Sequence, residues 1–353
     1  MMVEKLSVEL FLEKAQNIPV IDVRSPAEFE YGHIPGAFNI PLFSDLERAD
    51  VGRLYHQAGK DKAVGRGLEI AGPRMKNYVD EAKKLARNNE LLIYCWRGGM
   101  RSESMAWLFS TAGITASVLE NGYKSYRKYN RTCFKIEKPM IIIGGNTGSG
   151  KTKLLHKLSR SGCQVIDLEA LANHRGSVFG SLGMPGQPSN AHFENLLGTE
   201  WRKLDPDRPV FMEDESFNIG RDSIPKCIYE KMQYAPLFLI NMTLEERVDR
   251  LYEEYAHYPP EVLKKLIQKL NRRLGGANTK YAIEAVEDKR LRHAIHIALR
   301  YYDKAYNFDV GKRNPDRVFN FADDGHEDII AQEMIKKSAE IYPENEPSRI
   351  PGL

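Results

Sequence analysis

Residues 139–155 read PMIIIGGNTGSGKTKLL, and the fold of the second half of the chain follows from them. The apolar run Met140–Ile143 predicts a buried strand, and the residues from Thr152 onward can begin a helix. Between them stands Gly145-x-x-x-x-Gly150-Lys151-Thr152. Glycine permits the tight turn in which Gly145, Asn146, Gly148, Ser149 and Gly150 direct successive backbone N–H groups inward, and a helix N-terminus adds unpaired donors of its own. Lys151 supplies a mobile positive charge, and Thr152 a hydroxyl suited to Mg2+ or to a phosphate oxygen. The pattern predicts a phosphate or diphosphate site. It leaves the identity of the ligand open.

Working outward, Val165–Leu168, Pro209–Met212 and Leu237–Asn241 predict further strands, giving an α/β unit with an open parallel sheet over residues 139–315. Ligands of such sheets bind outside the carboxyl ends of the strands. That places Glu169, Asn173, His174 and Arg175 toward the phosphate. Glu213-Asp214-Glu215 ends the third strand, and Asp214 is the conventional partner of Thr152 in holding Mg2+, with Glu213 or Glu215 as alternatives. Arg247 and Arg250 share a helix face and suit a phosphate or a carboxylate. Two basic helices, 261–274 and 282–301, follow. Between Glu261 and Arg300 there are ten Lys or Arg against four acids, a local basic face able to attract a polyanion. Arg272 and Arg273, beside the glycine joint 275–278, are candidate lid arginines for a diphosphate or an RNA backbone. Phe179–Asn190 is a Gly- and Pro-punctuated loop, ordered or lid-like. Phe179, Phe193, Leu196, Leu197 and Trp201 are candidates for an apolar groove. Residues 316–353 form a polar, partly helical extension.

The whole chain has 353 residues, 42% hydrophobic and 28% charged, which is enough for two globular domains with real cores. No stretch approaches 18 consecutive apolar residues, so no membrane span is expected. The first residues carry acids and do not form a secretion signal. Four cysteines, at 95, 133, 163 and 227, have no metal-ligand spacing and are too few for a disulfide framework. A reducing cytoplasm is the expected compartment.

Residues 1–130 form a separate unit, joined by a linker at 131–138. Ile18–Asp22 predicts a strand, and Ser25, Pro26 and Glu28 form the start of a capped helix. Asp22 and Arg24 are expected to brace one another, and His33 to order the turn Gly32–Ala37. The polar, glycine-rich passage 45–72 is expected to be a peripheral loop with a short helix, or a substrate flap. Leu91–Tyr94 is a strand that delivers Cys95 to the mouth of the loop Cys95-Trp96-Arg97-Gly98-Gly99-Met100-Arg101-Ser102, with a helix beyond. Loop N–H groups, the helix dipole, Arg97 and Arg101 favour a thiolate, so Cys95 is the expected reactive nucleophile. Tyr126-Arg127-Lys128-Tyr129 is basic and aromatic, suited to stacking on RNA or to closing the unit as a packed helix.

The segments Asp22-Val-Arg-Ser-Pro-x-Glu-Phe, Gly32-His-Ile-Pro-Gly-Ala and the Cys95 loop together resemble the rhodanese fold. In that family the matching cysteine carries transferable sulfur as a persulfide. The loop departs from the common Cys-x-x-Gly-x-Arg by one residue. Its Cys-x5-Arg spacing is shared with cysteine phosphatases, but Tyr94 precedes the cysteine and no nearby acid is evident for a leaving group.

A rhodanese-like domain followed by a P-loop NTPase-like domain with helical C-terminal additions resembles, across nearly the whole chain, the tRNA 2-selenouridine synthase family. The carrying segments are Tyr94–Ser102, Gly144–Thr152, Asp167–Ser177 and Glu213–Ser216. The resemblance implies a tRNA bearing 2-thiouridine at the wobble position, geranyl diphosphate and selenophosphate as substrates, and a selenophosphate-supplying partner. No tightly bound cofactor is implied beyond Mg2+. It casts Cys95, Arg97, Arg101 and Lys151 as catalytic groups, with Arg175, Arg247, Arg272 and Arg273 around the diphosphate. An ATP-dependent sulfurtransferase or small-molecule kinase with a fused rhodanese, and a non-catalytic RNA-binding protein, are the alternatives.

Overall fold

Strands buried on both faces must pair in parallel under covering helices, and the short apolar runs of this chain do so twice. The computed structural model describes residues 3–322 and 327–343. It divides into two units: residues up to 133 together with Ala191–Thr199, and Phe134–Asn190 with the residues from Glu200 onward.

In the first unit, β1 (Glu4–Leu6), α1 (Val8–Lys14), β2 (Val20–Asp22), α2 (Pro26–Tyr31) and β3 (Phe38–Asn39) precede α3 (Asp45–Ala58) and α4 (Lys60–Ala71). Then come α5 (Met75–Leu85), β4 (Glu90–Tyr94), α6 (Met100–Thr111), β5 (Thr115–Leu119) and α7 (Gly122–Cys133). All five strands run parallel in the order β1-β5-β4-β2-β3. β4 is central, so Cys95 emerges from the middle of the sheet's carboxyl edge. Ser25 and Glu28 form the capping box that starts α2, with Pro26 in its first turn.

The passage 45–72 is not a loop but two helices. Ser44 and Glu47 form a capping box for α3, and Gly59, at φ +87°, breaks it from α4. Gly65 and Gly67 inside α4 disguise it, since each costs a helix about 1 kcal/mol relative to alanine. The predicted linker begins too early, because α7 runs on to Cys133. The basic-aromatic segment of α7 is packed: Tyr126 is fully buried, and Arg127 donates to Ala191 O at 2.7 Å and pairs with Glu194. Asn195 Nδ2 donates to Tyr123 Oη (2.6 Å) and His33 O (2.8 Å). Residues 191–199 therefore belong to this unit, although the range read from the sequence, 139–315, includes them in the second one.

The second unit opens with β6 (Met140–Gly145), α8 (Lys151–Arg160), β7 (Gln164–Ile166) and α9 (Leu168–Ala172). It continues through α10 (Asn190–Lys203), β8 (Val210–Glu213), the short hairpin of β9 (Asn218–Ile219) and β10 (Asp222–Ser223), α11 (Lys226–Tyr234) and β11 (Leu237–Asn241). Five helices follow, α12 (Leu244–Tyr255), α13 (Pro260–Lys269), α14 (Asn271–Leu274), α15 (Gly276–Glu287) and α16 (Leu291–Val310), before β12 (Val318–Ala322) and α17 (Glu327–Ile341). The parallel sheet has the order β12-β11-β6-β8-β7. β6 is wholly buried at its centre, with the chain fanning to either side, so the crevice for a ligand opens at Gly145.

Two expectations change here. The segment from 316 is not an appendage: β12 pairs with β11 from Val318 to Ala322, and α17 packs Ile330, Ala331 and Met334 against Phe211 and Phe238. The proline-rich end beyond 343 lies outside the described residues. The 275–278 joint is a closed corner, with Asn278 Nδ2 and Thr279 Oγ1 donating to Leu274 O and Gly275 O, each at 3.0 Å. Among the described residues no helix is long and apolar enough to cross a membrane.

Candidate active site

The turn after β6 is held from outside. Gly145 N–H donates to Tyr306 Oη at 2.8 Å, and Tyr306 donates to Asp214 Oδ2 at 2.9 Å. Asp214 in turn pairs with Arg313 at 2.5 Å, and Arg313 donates to Met232 O at 3.0 Å. Burial pushes the Tyr306 hydroxyl well up, so it stays a donor. Asp214 is thus consumed in bracing and is not the carboxylate that meets Thr152. Successive strand residues point to opposite sides, and it is Glu213 that faces the loop. Thr152 Oγ1 donates to Glu213 Oε1 at 2.8 Å and lies 3.1 Å from Glu169 Oε2.

Burial, and repulsion from neighbouring carboxylates, raise Glu213 well above the usual range. Burial raises Glu169 as well, and burial with repulsion from Glu169 pushes Glu215 up to about 8. Three carboxyls that resist ionisation beside one lysine mark a place where additional positive charge is favourable. The oxygen-only set of Thr152, Glu213 and Glu169 fits a hard divalent cation. No three Asp, Glu, His or Cys side chains converge as metal ligands among the described residues. Mg2+ would therefore draw its remaining ligands from phosphate and water, as it commonly does.

Two polar atoms inside the loop, Asn146 Oδ1 and Ser149 Oγ, are buried without a hydrogen-bond partner. Gly148 and Gly150 have φ of +84° and +82°, the left-handed conformation the turn requires. Lys151 Nζ closes back on Gly145 O at 2.9 Å. Arg247, expected at the ligand, is buried in a bidentate pair with Asp303 (2.8 and 2.6 Å) and donates to Thr147 O at 3.2 Å. It positions the turn. The Arg250 guanidinium lies over Gly150. Arg175 is tied to Glu254, and Arg272 and Arg273 stand exposed on α14. The structure therefore gathers residues 145–152, Glu169 and Glu213 directly and Arg247 through Thr147, and among the described residues no hydrogen bond or ion pair ties Arg175, Arg272 or Arg273 to the loop. A narrow apolar slot of about 20 Å3 reaches Thr147, lined by Phe179, Leu251, Leu263, Ala298 and Tyr302. Of the apolar candidates, Phe179 lines it, whereas Phe193, Leu197 and Trp201 are buried in packing.

In the first unit, the Asp22–Arg24 brace is buried and bidentate, with the guanidinium 4.0 Å from the Tyr123 ring centre. His33 orders its turn through Phe29 O at 2.9 Å and stacks on the Phe29 ring. Two glycines set the Cys95 loop. Gly98 (φ +62°) and Gly122 (φ +60°) press backbone on backbone: a Cβ on Gly98 would stand 2.5 Å from Leu119 O, and one on Gly122 would strike Cys95 O. Cys95 is 3% exposed, yet it lines a cavity of about 610 Å3 together with Arg97, Gly99 and Arg101. Ser102 Oγ stands 3.1 Å from Cys95 Sγ and donates to Gly99 O at 3.0 Å. Arg101 does not point freely at the thiol, because Glu28 holds it at 3.1 Å, shared with Arg48 at 3.6 Å. Arg97 is exposed and makes no ion pair among the described residues.

Tyr306, Arg313 and Asp303 carry much of this geometry and were not singled out from sequence. The only signal was spacing: Asp303 and Tyr306 follow the buried Ile295 and Leu299 of α16 at helical intervals.

Two family profiles match the chain: "tRNA 2-selenouridine synthase AAA domain" over residues 138–337 and "Rhodanese-like domain" over residues 7–129. The chain is 34% identical over 340 residues to the tRNA 2-selenouridine synthase of Shewanella loihica, covering 86% of this chain and 90% of that one. It is 41% identical over 251 residues to the protein of the same name from Bdellovibrio bacteriovorus, covering 68% and 65%. The counterpart from Nitrosomonas europaea is 38% identical over 251 residues, covering 69% and 64%.

Proposed function

The chain belongs to the tRNA 2-selenouridine synthase family, and on that premise we propose that it works in two steps, S-geranylation of 2-thiouridine followed by selenium exchange. It is a transferase, and its macromolecular substrate is a tRNA modified at the wobble uridine.

In the first step the 2-thio sulfur attacks C1 of geranyl diphosphate. The S–C1 bond forms, the C1–O bond breaks, and diphosphate departs with the electron pair while N3 of the base gives up its proton. Lys151 exchanges Gly145 O for a phosphate oxygen, and the loop N–H groups and the Ser149 hydroxyl donate to the charge that develops. Thr152 and Glu213 would hold Mg2+, which when bound supplies Lewis-acid stabilisation of the leaving group. Arg247 keeps Thr147 in place, so the cradle is formed before the substrate arrives.

In the second step selenium of selenophosphate adds at C2 and the C2–S bond breaks. Geranylthiolate leaves with that electron pair and takes a proton. Water then splits the Se–P bond to release phosphate, and N3 regains its proton. Cys95 contacts the selenium donor, and Arg97, which makes no ion pair among the described residues, meets its phosphate.

The observation that carries this reading is the unmatched buried Ser149 Oγ, a hydroxyl donor inside a loop whose Thr152 hydroxyl is already aimed at Glu213. The test is mass spectrometry of wobble nucleosides after incubation with 2-thiouridine tRNA, geranyl diphosphate and selenophosphate, each omitted in turn. Geranyl-thio product is expected without the selenium donor, and 2-selenouridine with the full set. Product formation that tracks ATP consumption and is indifferent to geranyl diphosphate would overturn it.

A further inference from the structure

The helices α3 and α4 are unusual in what they leave uncovered. Between Asp45 and Ala71 the only buried side chain is Ala63. Their apolar residues are instead turned to the cavity beside Cys95, where Val51, Val64 and Leu68 face Phe43, Trp96 and Met100. At about 610 Å3 the cavity is in the range of small-molecule pockets, about 300–1,000 Å3. Leu68 is 67% exposed, Tyr55 55%, Met100 47% and Trp96 38%, so apolar surface continues out to the solvent side of the cavity. A selenophosphate or thiosulfate anion needs a cation and loop N–H groups. It has no use for a hydrocarbon wall of this extent. The cation left open in the lining is Arg97 next to Cys95, which makes no ion pair among the described residues while Glu28 engages Arg48 and Arg101; His56 and Ser104 add polar atoms elsewhere on the wall. An apolar chain whose polar end lies beside a separately bound anion matches that distribution.

We propose that this cavity binds the geranyl chain of S-geranyl-2-thiouridine during the selenium exchange, with the C2–S bond held over Cys95. The assignment rests on the two-step reading above. The chain enters between α3, α4 and the Cys95 loop, and Arg97 stays open to the phosphate of the selenium donor. When the C2–S bond breaks, geranylthiolate is already inside an apolar enclosure and the selenium donor is outside it, next to Cys95. Leaving group and nucleophile then occupy different sides of C2. Each methylene buried contributes about fourfold in affinity, so the site discriminates thioethers by chain length.

The experiment measures binding of preformed S-geranyl-, S-dimethylallyl- and S-methyl-2-thiouridine to the full chain by calorimetry, alongside selenium exchange on a tRNA already S-geranylated. In the unsubstituted protein the geranyl compound should bind at least 50-fold more tightly than the methyl one. Val64→Trp, which fills the cavity, and Leu68→Glu, an exposed change that keeps the helix, should each reduce that preference at least tenfold and slow exchange of the geranylated tRNA. Equal binding of geranyl and methyl thioethers by the unsubstituted protein would overturn the assignment. So would an undiminished preference in both variants, with circular dichroism confirming that they fold. Because the thioethers are supplied preformed, a failure to make geranylated tRNA from geranyl diphosphate refutes the two-step reading through a separate measurement.

Discussion

Two adjacent acids at the end of β8 should have opposite phenotypes. Asp214 is buried between Arg313 and Tyr306, whereas Glu213 faces Thr152. Asp214→Ala strands a guanidinium that is itself almost wholly inaccessible and a tyrosine hydroxyl that steadies Gly145. Breaking a buried pair by removing one partner costs about 3–5 kcal/mol. For a unit of this size each kcal/mol lowers Tm by about 2–4 °C, so a fall on the order of 10 °C is expected. Glu213→Gln behaves differently. Burial and its carboxylate neighbours raise Glu213 well above the usual range and disfavour its charge, so a neutral amide of the same shape should change stability by no more than about 1 kcal/mol. It removes the negative charge that Glu213 would offer to Mg2+ beside Thr152, and S-geranylation in single turnover should fall about 10²-fold, the size typical for one lost electrostatic stabiliser. Calorimetry gives the first quantity, and quenched-flow analysis of geranylated tRNA at 20 °C the second. If Asp214→Ala melts normally and abolishes geranylation while Glu213→Gln turns over like the parent, the placement of the two acids is wrong.

Other expectations can be checked with purified protein. Burial, with the neighbouring His33, lowers His192 to about 4, against about 6.5 in the unfolded chain. That stability is intact above pH 6.5 and is lost as pH falls toward 4, by up to about 3 kcal/mol. Urea titrations between pH 4 and 7 should show the fall, and His192→Gln should flatten it. Gly122→Ala places a methyl against Cys95 O in a left-handed conformation, and should cost at least about 2 kcal/mol by urea unfolding while abolishing selenium exchange. Asp303→Ala frees Arg247 from its pair and loosens Thr147, so geranyl diphosphate affinity by calorimetry should weaken about tenfold or more. Cys95→Ala should leave geranyl-thio product accumulating and remove selenouridine, which nucleoside mass spectrometry reads directly.

What the sequence by itself determined was local and periodic. A strand, a glycine turn, a lysine and a threonine in consecutive positions define a phosphate loop without reference to anything distant. The same is true of Ser25-Pro26-x-Glu28 as a helix start and of a cysteine delivered by a buried strand into a Gly-Gly loop. Tertiary structure decided which way side chains face once elements meet. Glu213 and Asp214 are neighbours in sequence and opposites in function because a strand turns alternate residues to different sides, and only Arg313 and Tyr306, 99 and 92 residues away, claim Asp214. Arg247 carries a charge suited to phosphate, but Asp303 lies 56 positions further along and takes it. The 45–72 passage read as a loop because its glycines weaken a helix in isolation. Capping at Ser44, a break at Gly59 and packing by the faces of α3 and α4 outweigh that deficit, and those faces enclose the space beside Cys95. Turn chemistry is short-ranged and so is written in adjacent residues, whereas pairing and enclosure depend on contacts that the chain forms only after it has folded.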